Sequence, residues 1–187
     1  MTNKRVRLVG SIKKDLLSRS REAALCAISV FNDPLVKFKS QTFIVLMVIA
    51  WMYLLHAYYR SIGVDYRYYE IKGKRKRFVR TEKNGPIKYW ELAKCLKHES
   101  CPLDGETRQN LLFLIGLRDE IEHRSAGAVD NYLSARYQAC VINFNDYIKA
   151  LFGDGYALEP FLTYSIQLVA LSEEQLRRPR RLSAHPS

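Results

Sequence analysis

The sequence predicts a mostly α-helical protein: an antiparallel bundle of four or five helices carrying a small β-hairpin insertion. Three observations lead there. Apolar residues recur at spacings of three, four and seven, as in Leu17, Ala24, Ile28 and Phe31. Clusters of Asn, Asp, Pro and Gly punctuate the chain near residues 32–34, 84–86 and 102–105. Residues 64–84 break the helical pattern, interleaving aromatic and basic side chains around Lys72-Gly73-Lys74.

The first helix is expected from about Ile12 to Phe31, with Arg19 and Arg21 opposite its apolar stripe. Asn32-Asp33-Pro34 should end it, since a proline disfavours helical geometry in the residue before it. Ser40 is the expected cap of a second helix reaching Ser61, just before Gly63. That helix holds thirteen consecutive apolar residues, Phe43 to Leu55. A membrane span needs about twenty, and ten to fourteen fits a core helix better. Lys37 and Lys39 before it and Arg60 after it supply no positive-inside asymmetry. The expectation is a central helix buried on all sides, with His56 as a satisfied core histidine.

In residues 64–84, Tyr66, Tyr68, Tyr69, Ile71, Phe78 and Val79 read as strands, and Lys74, Arg75, Lys76 and Arg77 concentrate charge. Aromatic rings beside a basic strand suit RNA, where rings stack on bases and cations follow the backbone. The competing reading is a solvated edge whose lysines block aggregation. A third helix is expected over Ile87–Lys97, with His98 exposed at its end. A fourth starts near Glu106 on the stripe Leu111, Leu112, Leu114, Ile115 and Leu117, and a fifth spans about Val129–Phe152 before Gly153 and Gly155. Asn143 and Asn145 either line the cleft between these two or tie helices together. Residues 156–171 are apolar but aperiodic, a short element packed on the bundle. The expected organisation is a basic segment over 1–11, one helical domain over 12–171, and a disordered basic tail over 172–187.

A chain of 187 residues, 48% hydrophobic, can bury one good core. Its net charge of +11 points to a polyanion, nucleic acid ahead of an anionic membrane. The four cysteines, Cys26, Cys95, Cys101 and Cys140, form no close-set ligand pairs, which argues against zinc and for reduced thiols in a cytoplasmic protein. The N-terminus is basic without the apolar stretch of a signal peptide. No Gly-rich phosphate loop or Ser–His–Asp order stands out.

The chemistry concentrates in Gly116-Leu117-Arg118-Asp119-Glu120-Ile121-Glu122-His123-Arg124. On a helix, Asp119 and His123 share a face, so the carboxylate can orient the imidazole and raise its pKa. Arg118 adds a fixed cation. Together they suffice for metal-free cleavage of RNA. Arg118 to Glu122 and Glu120 to Arg124 are also four apart, so the competing reading is an exposed helix face laced with ion pairs. The spacing of Arg118 and His123 recurs at Arg180 and His185, in a Pro-containing tail where no helix can hold it.

This motif resembles the Arg-(Asn/Asp/His)-x3-His signature of the HEPN superfamily (higher eukaryotes and prokaryotes nucleotide-binding). Ser20-Arg21-Glu22-Ala23-Ala24, Asn32-Asp33-Pro34-Leu35, Phe43-Ile44-Val45-Leu46-Met47 and Ala50-Trp51 resemble one bacterial branch of it, domain of unknown function 3644. The similarity covers roughly residues 13–171. It implies a HEPN-like bundle acting as a metal-independent endoribonuclease in a toxin or phage-defence role, with RNA as substrate and no cofactor. Arg118, Asp119 and His123 would be catalytic; Lys74, Arg75, Lys76, Arg77 and Arg124 would bind RNA. The resemblance further implies a homodimer with the motif helix at its interface and a regulatory partner protein. Ser125 stands where nucleotidylated HEPN toxins carry tyrosine, so that control is not expected. The alternatives are a non-catalytic RNA- or nucleotide-binding module and a membrane-associated basic protein.

Overall fold

A computed structural model describes residues 9–73, 75–121 and 130–158. It shows a mostly α fold with a β-hairpin: helices α1 (Val9–Asn32), α2 (Lys39–Ser61), α3 (Leu92–Leu96), α4 (Gly105–Ile121) and α5 (Asp130–Phe152), with strands β1 (Tyr69–Lys72) and β2 (Arg75–Phe78) between α2 and α3. A 3-10 turn, Asp154–Tyr156, follows α5.

α2 is the centre, touching α1, α3, α4 and α5. Its side facing the other helices carries Phe43, Ile44, Met47, Trp51, Leu54 and Leu55, all essentially inaccessible. Small residues on α1 let the backbones approach: Ser20, Ala24 and Ala27 are buried, and Ser20 Oγ donates to Ala50 O at 2.7 Å. At one end, Phe31, Phe43 and Tyr137 pack ring to ring at 4.8–5.4 Å, joining α1, α2 and α5. Deeper in, Trp51 meets Phe144 edge-on at 5.3 Å, and its indole N–H points at Cys140 Sγ. α2 is not buried on all sides. Val45 is 40% exposed, and Gln41, Val48, Ile49 and Met52 are half-buried on the same face. Helical geometry gives α2 more circumference than its neighbours cover. It is long and apolar enough to cross a membrane, yet 61% of its most apolar window is buried inside the protein.

Three local expectations are corrected. Ser40 does not cap α2: it lies within the first turn, buried, and Phe38 is the cap, its carbonyl accepting from Thr42 N at 3.1 Å and Thr42 Oγ1 at 2.9 Å. The helix over Ile87–Lys97 shrinks to Leu92–Leu96. Residues 87–90 are extended instead, because Pro86 and the β-favouring run Ile87, Tyr89 and Trp90 pair with the hairpin's foot; Ile87 bridges to Arg80 and Tyr89 to Arg67. His98 is half-buried rather than exposed, packed on Trp90 at 5.1 Å and Tyr59 at 5.4 Å.

The hairpin itself pairs Tyr69 with Phe78 and Lys72 with Arg75, and the chain turns from Gly73, φ 62°. At its foot, Tyr68 N–H donates to Lys88 O, Lys88 N–H to Val79 O, and Val79 N–H to Tyr68 O, each at 2.8–2.9 Å. These three bonds close a ring. α1 begins at Val9, three residues earlier than expected, and α5 ends as expected at Gly153, whose φ of 92° suits glycine. The expected element beyond 158 and the tail over 172–187 lie outside the described residues.

Candidate functional site

α4 starts from a built cap. Asp104 Oδ1 accepts from Thr107 N at 2.7 Å, and Oδ2 accepts from Tyr147 Oη at 2.7 Å and Thr107 Oγ1 at 3.1 Å. These donors hold the Asp104 carboxyl below its usual range, the backbone N–H of Thr107 first among them. Asn143 Nδ2 donates to Thr107 Oγ1 and Asn145 Oδ1 accepts from Leu158 N, so both asparagines tie elements together. Asn110 reaches Arg136 O, and Arg136 lies 4.2 Å from the Phe113 ring. These pairings fix α4 and α5 as antiparallel, placing Arg118 level with the first turn of α5.

Arg118 occupies a telling position. Thr107, Leu111 and Leu114 are the buried stripe of α4, and Arg118 continues it at the same helical phase. Its side chain is half-buried. Asp119 is the next residue of α4, its backbone on the side shared with Arg108, Leu112 and Ile115. His123 and Arg124 lie outside the described residues, as does Lys74. An open cleft of about 700 Å³ runs beside the stripe, lined by Glu106, Gln109, Asn110, Phe113 and Arg136.

The hairpin's cations divide into two kinds. Arg75 and Arg77 share one face with Lys72, all exposed, with Glu70 opposite Arg77. Lys76 points to the other face, where its Nζ meets Asp65 Oδ2 at 2.8 Å and lies 3.8 Å from the Tyr69 ring centre. Arg67 grips the same Asp65 through Nε at 2.8 Å and Nη2 at 3.0 Å. The Arg67 guanidinium chiefly, with Lys76, holds the Asp65 carboxyl far below its usual range. Sequence reading missed this triad: Asp65 and Arg67 are only two residues apart, but Lys76 joins them only across the folded hairpin.

Among the described residues, the hairpin and Arg118 are not brought together. The hairpin's foot packs at the C-terminal end of α2, where His56 stacks on Tyr66 at 4.4 Å. α4 begins at that end: the Tyr59 hydroxyl donates to Cys95 O at 2.6 Å, and Arg108 reaches Cys101 O and Leu103 O. α4 then runs the length of the bundle, and Arg118 sits about 15 Å further along its axis than Arg108. The other end of the bundle holds the N-terminal turns of α2 and α5.

A family described as Domain of unknown function (DUF3644) matches residues 15–185. The chain belongs to the DUF3644 family. Its match runs from within α1 through α5 and includes the hairpin, so the insertion is part of the DUF3644 unit. No curated protein and no solved structure matches the chain.

Proposed function

We propose that this DUF3644 protein is a metal-independent endoribonuclease of HEPN type, in a toxin or phage-defence role. The observation that carries the reading is Arg118. A half-buried guanidinium at the end of the core-facing stripe of α4 supports a cation held in place for a substrate. Such a fork suits the equatorial oxygens of a phosphorane-like transition state.

In the proposed reaction, His123 takes the proton of a ribose 2′-hydroxyl, which attacks the adjacent phosphorus. The bond to the departing 5′-oxygen breaks, that oxygen takes the proton back from the His123 imidazolium, and a 2′,3′-cyclic phosphate remains. Asp119 orients the imidazole. Two chains related by a twofold axis would put both motifs on the walls of one groove, with Arg124 at its rim. The exposed Arg75–Arg77 face supports RNA as the partner, and the burial of α2 disfavours the membrane reading.

The test is cleavage of RNA in EDTA by the purified chain, reading the termini. Products ending in 2′,3′-cyclic phosphate, lost in His123→Ala and in Arg118→Lys, are expected; removing a positioned proton-transfer group costs about 10²–10⁴-fold. Intact RNA under every condition, with RNA still bound, would make the protein a binding module instead.

A further inference from the structure

Where α2 ends, the chain turns at Gly63 (φ 76°) and Val64 N–H bonds back to Tyr59 O at 2.8 Å. This turn leaves a cleft of about 620 Å³ between the start of α1, the end of α2 and the hairpin's foot. That volume falls within the range of small-molecule sites. Its walls combine two chemistries. One is aromatic: Tyr66 and Tyr89 line it with ring centres 5.6 Å apart, His56 stacking behind Tyr66 at 4.4 Å, and exposure rises from 8% at Tyr66 to 48% at Tyr89. The other is cationic. Arg60 and Arg67 line the cleft, and with Lys76 they set three cations against the single carboxylate of Asp65.

Arg60 supplies the decisive detail. Its guanidinium reaches the Tyr66 side chain, while its Nε is buried with no hydrogen-bond partner among the described residues. Arg60 itself lines the cleft, so an anion bound there would lie against a guanidinium that already carries an unmatched buried N–H. A half-exposed planar ring next to an arginine fork is matched by a base joined to a phosphate.

We propose that this cleft binds one nucleotide, its phosphate on Arg60 and its base against Tyr89. Because it lies at the end of the bundle remote from Arg118, it is an anchoring site, separate from the site of cleavage. The anchor holds single-stranded RNA; that part rests on the ribonuclease reading, whereas nucleotide binding stands without it.

The test measures binding of uridine monophosphate, uridine and a short oligouridylate to the full chain by calorimetry. Uridine should bind at least about tenfold more weakly than its monophosphate, and Tyr89→Leu should weaken both phosphorylated probes about tenfold, the scale of one base–aromatic stack. Arg60→Lys keeps the charge but loses the fork and should weaken them too; thermal melting confirms that each variant is folded. Monophosphate binding alone that depends on Tyr89 and Arg60 assigns the cleft to a free nucleotide. The same dependence for the oligonucleotide alone assigns it to a nucleotide within RNA. If neither probe's affinity responds to Tyr89 or Arg60, the cleft is not a nucleotide site, whether or not His123 supports cleavage. If binding responds but RNA is never cut, the anchor stands and the nuclease reading falls.

Discussion

Acid should weaken this fold through His56 before it does so through any carboxylate. His56 is 4% exposed; its Nε2 lies 2.8 Å from Trp90 O, and Tyr66 covers one face of its ring. Burial pushes its pKa from 6.5 down to about 4, against the smaller opposing pull of the Trp90 carbonyl. Between those values the unfolded chain binds a proton that the folded chain refuses, so stability rises with pH through that window and is lost on acidification. From about pH 7 to pH 4.5 the loss is about 2 kcal/mol, roughly thirtyfold in the folding equilibrium. Asp65 and Asp104 are both held below the usual carboxylate range, so their contribution is lost only at more acid pH, below about 4. Urea unfolding of wild type and His56→Gln at the two pH values isolates the effect. The variant, lacking the titrating group, should lose about 2 kcal/mol less on acidification. Equal losses in both proteins would refute burial of a neutral imidazole as the cause.

Three further outcomes are expected. Changing Arg75 and Arg77 to serine should lower the slope of log affinity for RNA against log salt by about two units; adding Lys76→Ser should change it less, since Lys76 already serves Asp65, and an unaltered slope would move the RNA path off the hairpin. Asp104→Ala removes the cap of α4 and the partner of the Tyr147 hydroxyl, and should cost about 2–3 kcal/mol in urea unfolding; a loss under about 0.5 kcal/mol would mean that solvent replaces the network. Mixing wild-type and His123→Ala chains should give heterodimers with altered cleavage, and strictly monomeric, fully active protein would exclude a composite groove.

The helices were legible because one side of each must be apolar. The stripes on α1, α4 and α5 repeat at helical spacing, and Leu17, Leu111, Leu114, Phe144 and Ile148 are buried as that spacing requires. The hairpin announced itself through Lys72-Gly73-Lys74 between alternating segments. The segment after Pro86 was misread because Trp90, Leu92, Ala93 and Leu96 fit a helix as well as a strand leading into one. Its partners Tyr68 and Tyr66 lie 20 and 24 residues from Lys88 and Trp90, which they pair with. Of the candidate site, the motif was visible as a local string, and the phase of Arg118 could have been read by continuing the stripe through Leu111 and Leu114. The Asp65–Arg67 pair is local, two residues apart, but the third member, Lys76, and the cleft beside Arg60 come together only once the hairpin has folded and its foot has closed on α2.

The ring of bonds among Tyr68, Val79 and Lys88 bears on how the hairpin moves. In an ordinary ladder the outermost pair opens first and the rest unzip behind it, each amide on its own schedule. Here none of the three amides is outermost, because each leads to the next. Opening any one segment breaks two of the three bonds together, so these protons should exchange with solvent at one shared rate, far slower than those of the exposed strands beyond. The arm carrying Arg75 and Arg77 therefore swings from a welded base instead of peeling away from it, and thermal motion there is a matter of flexing at the tip.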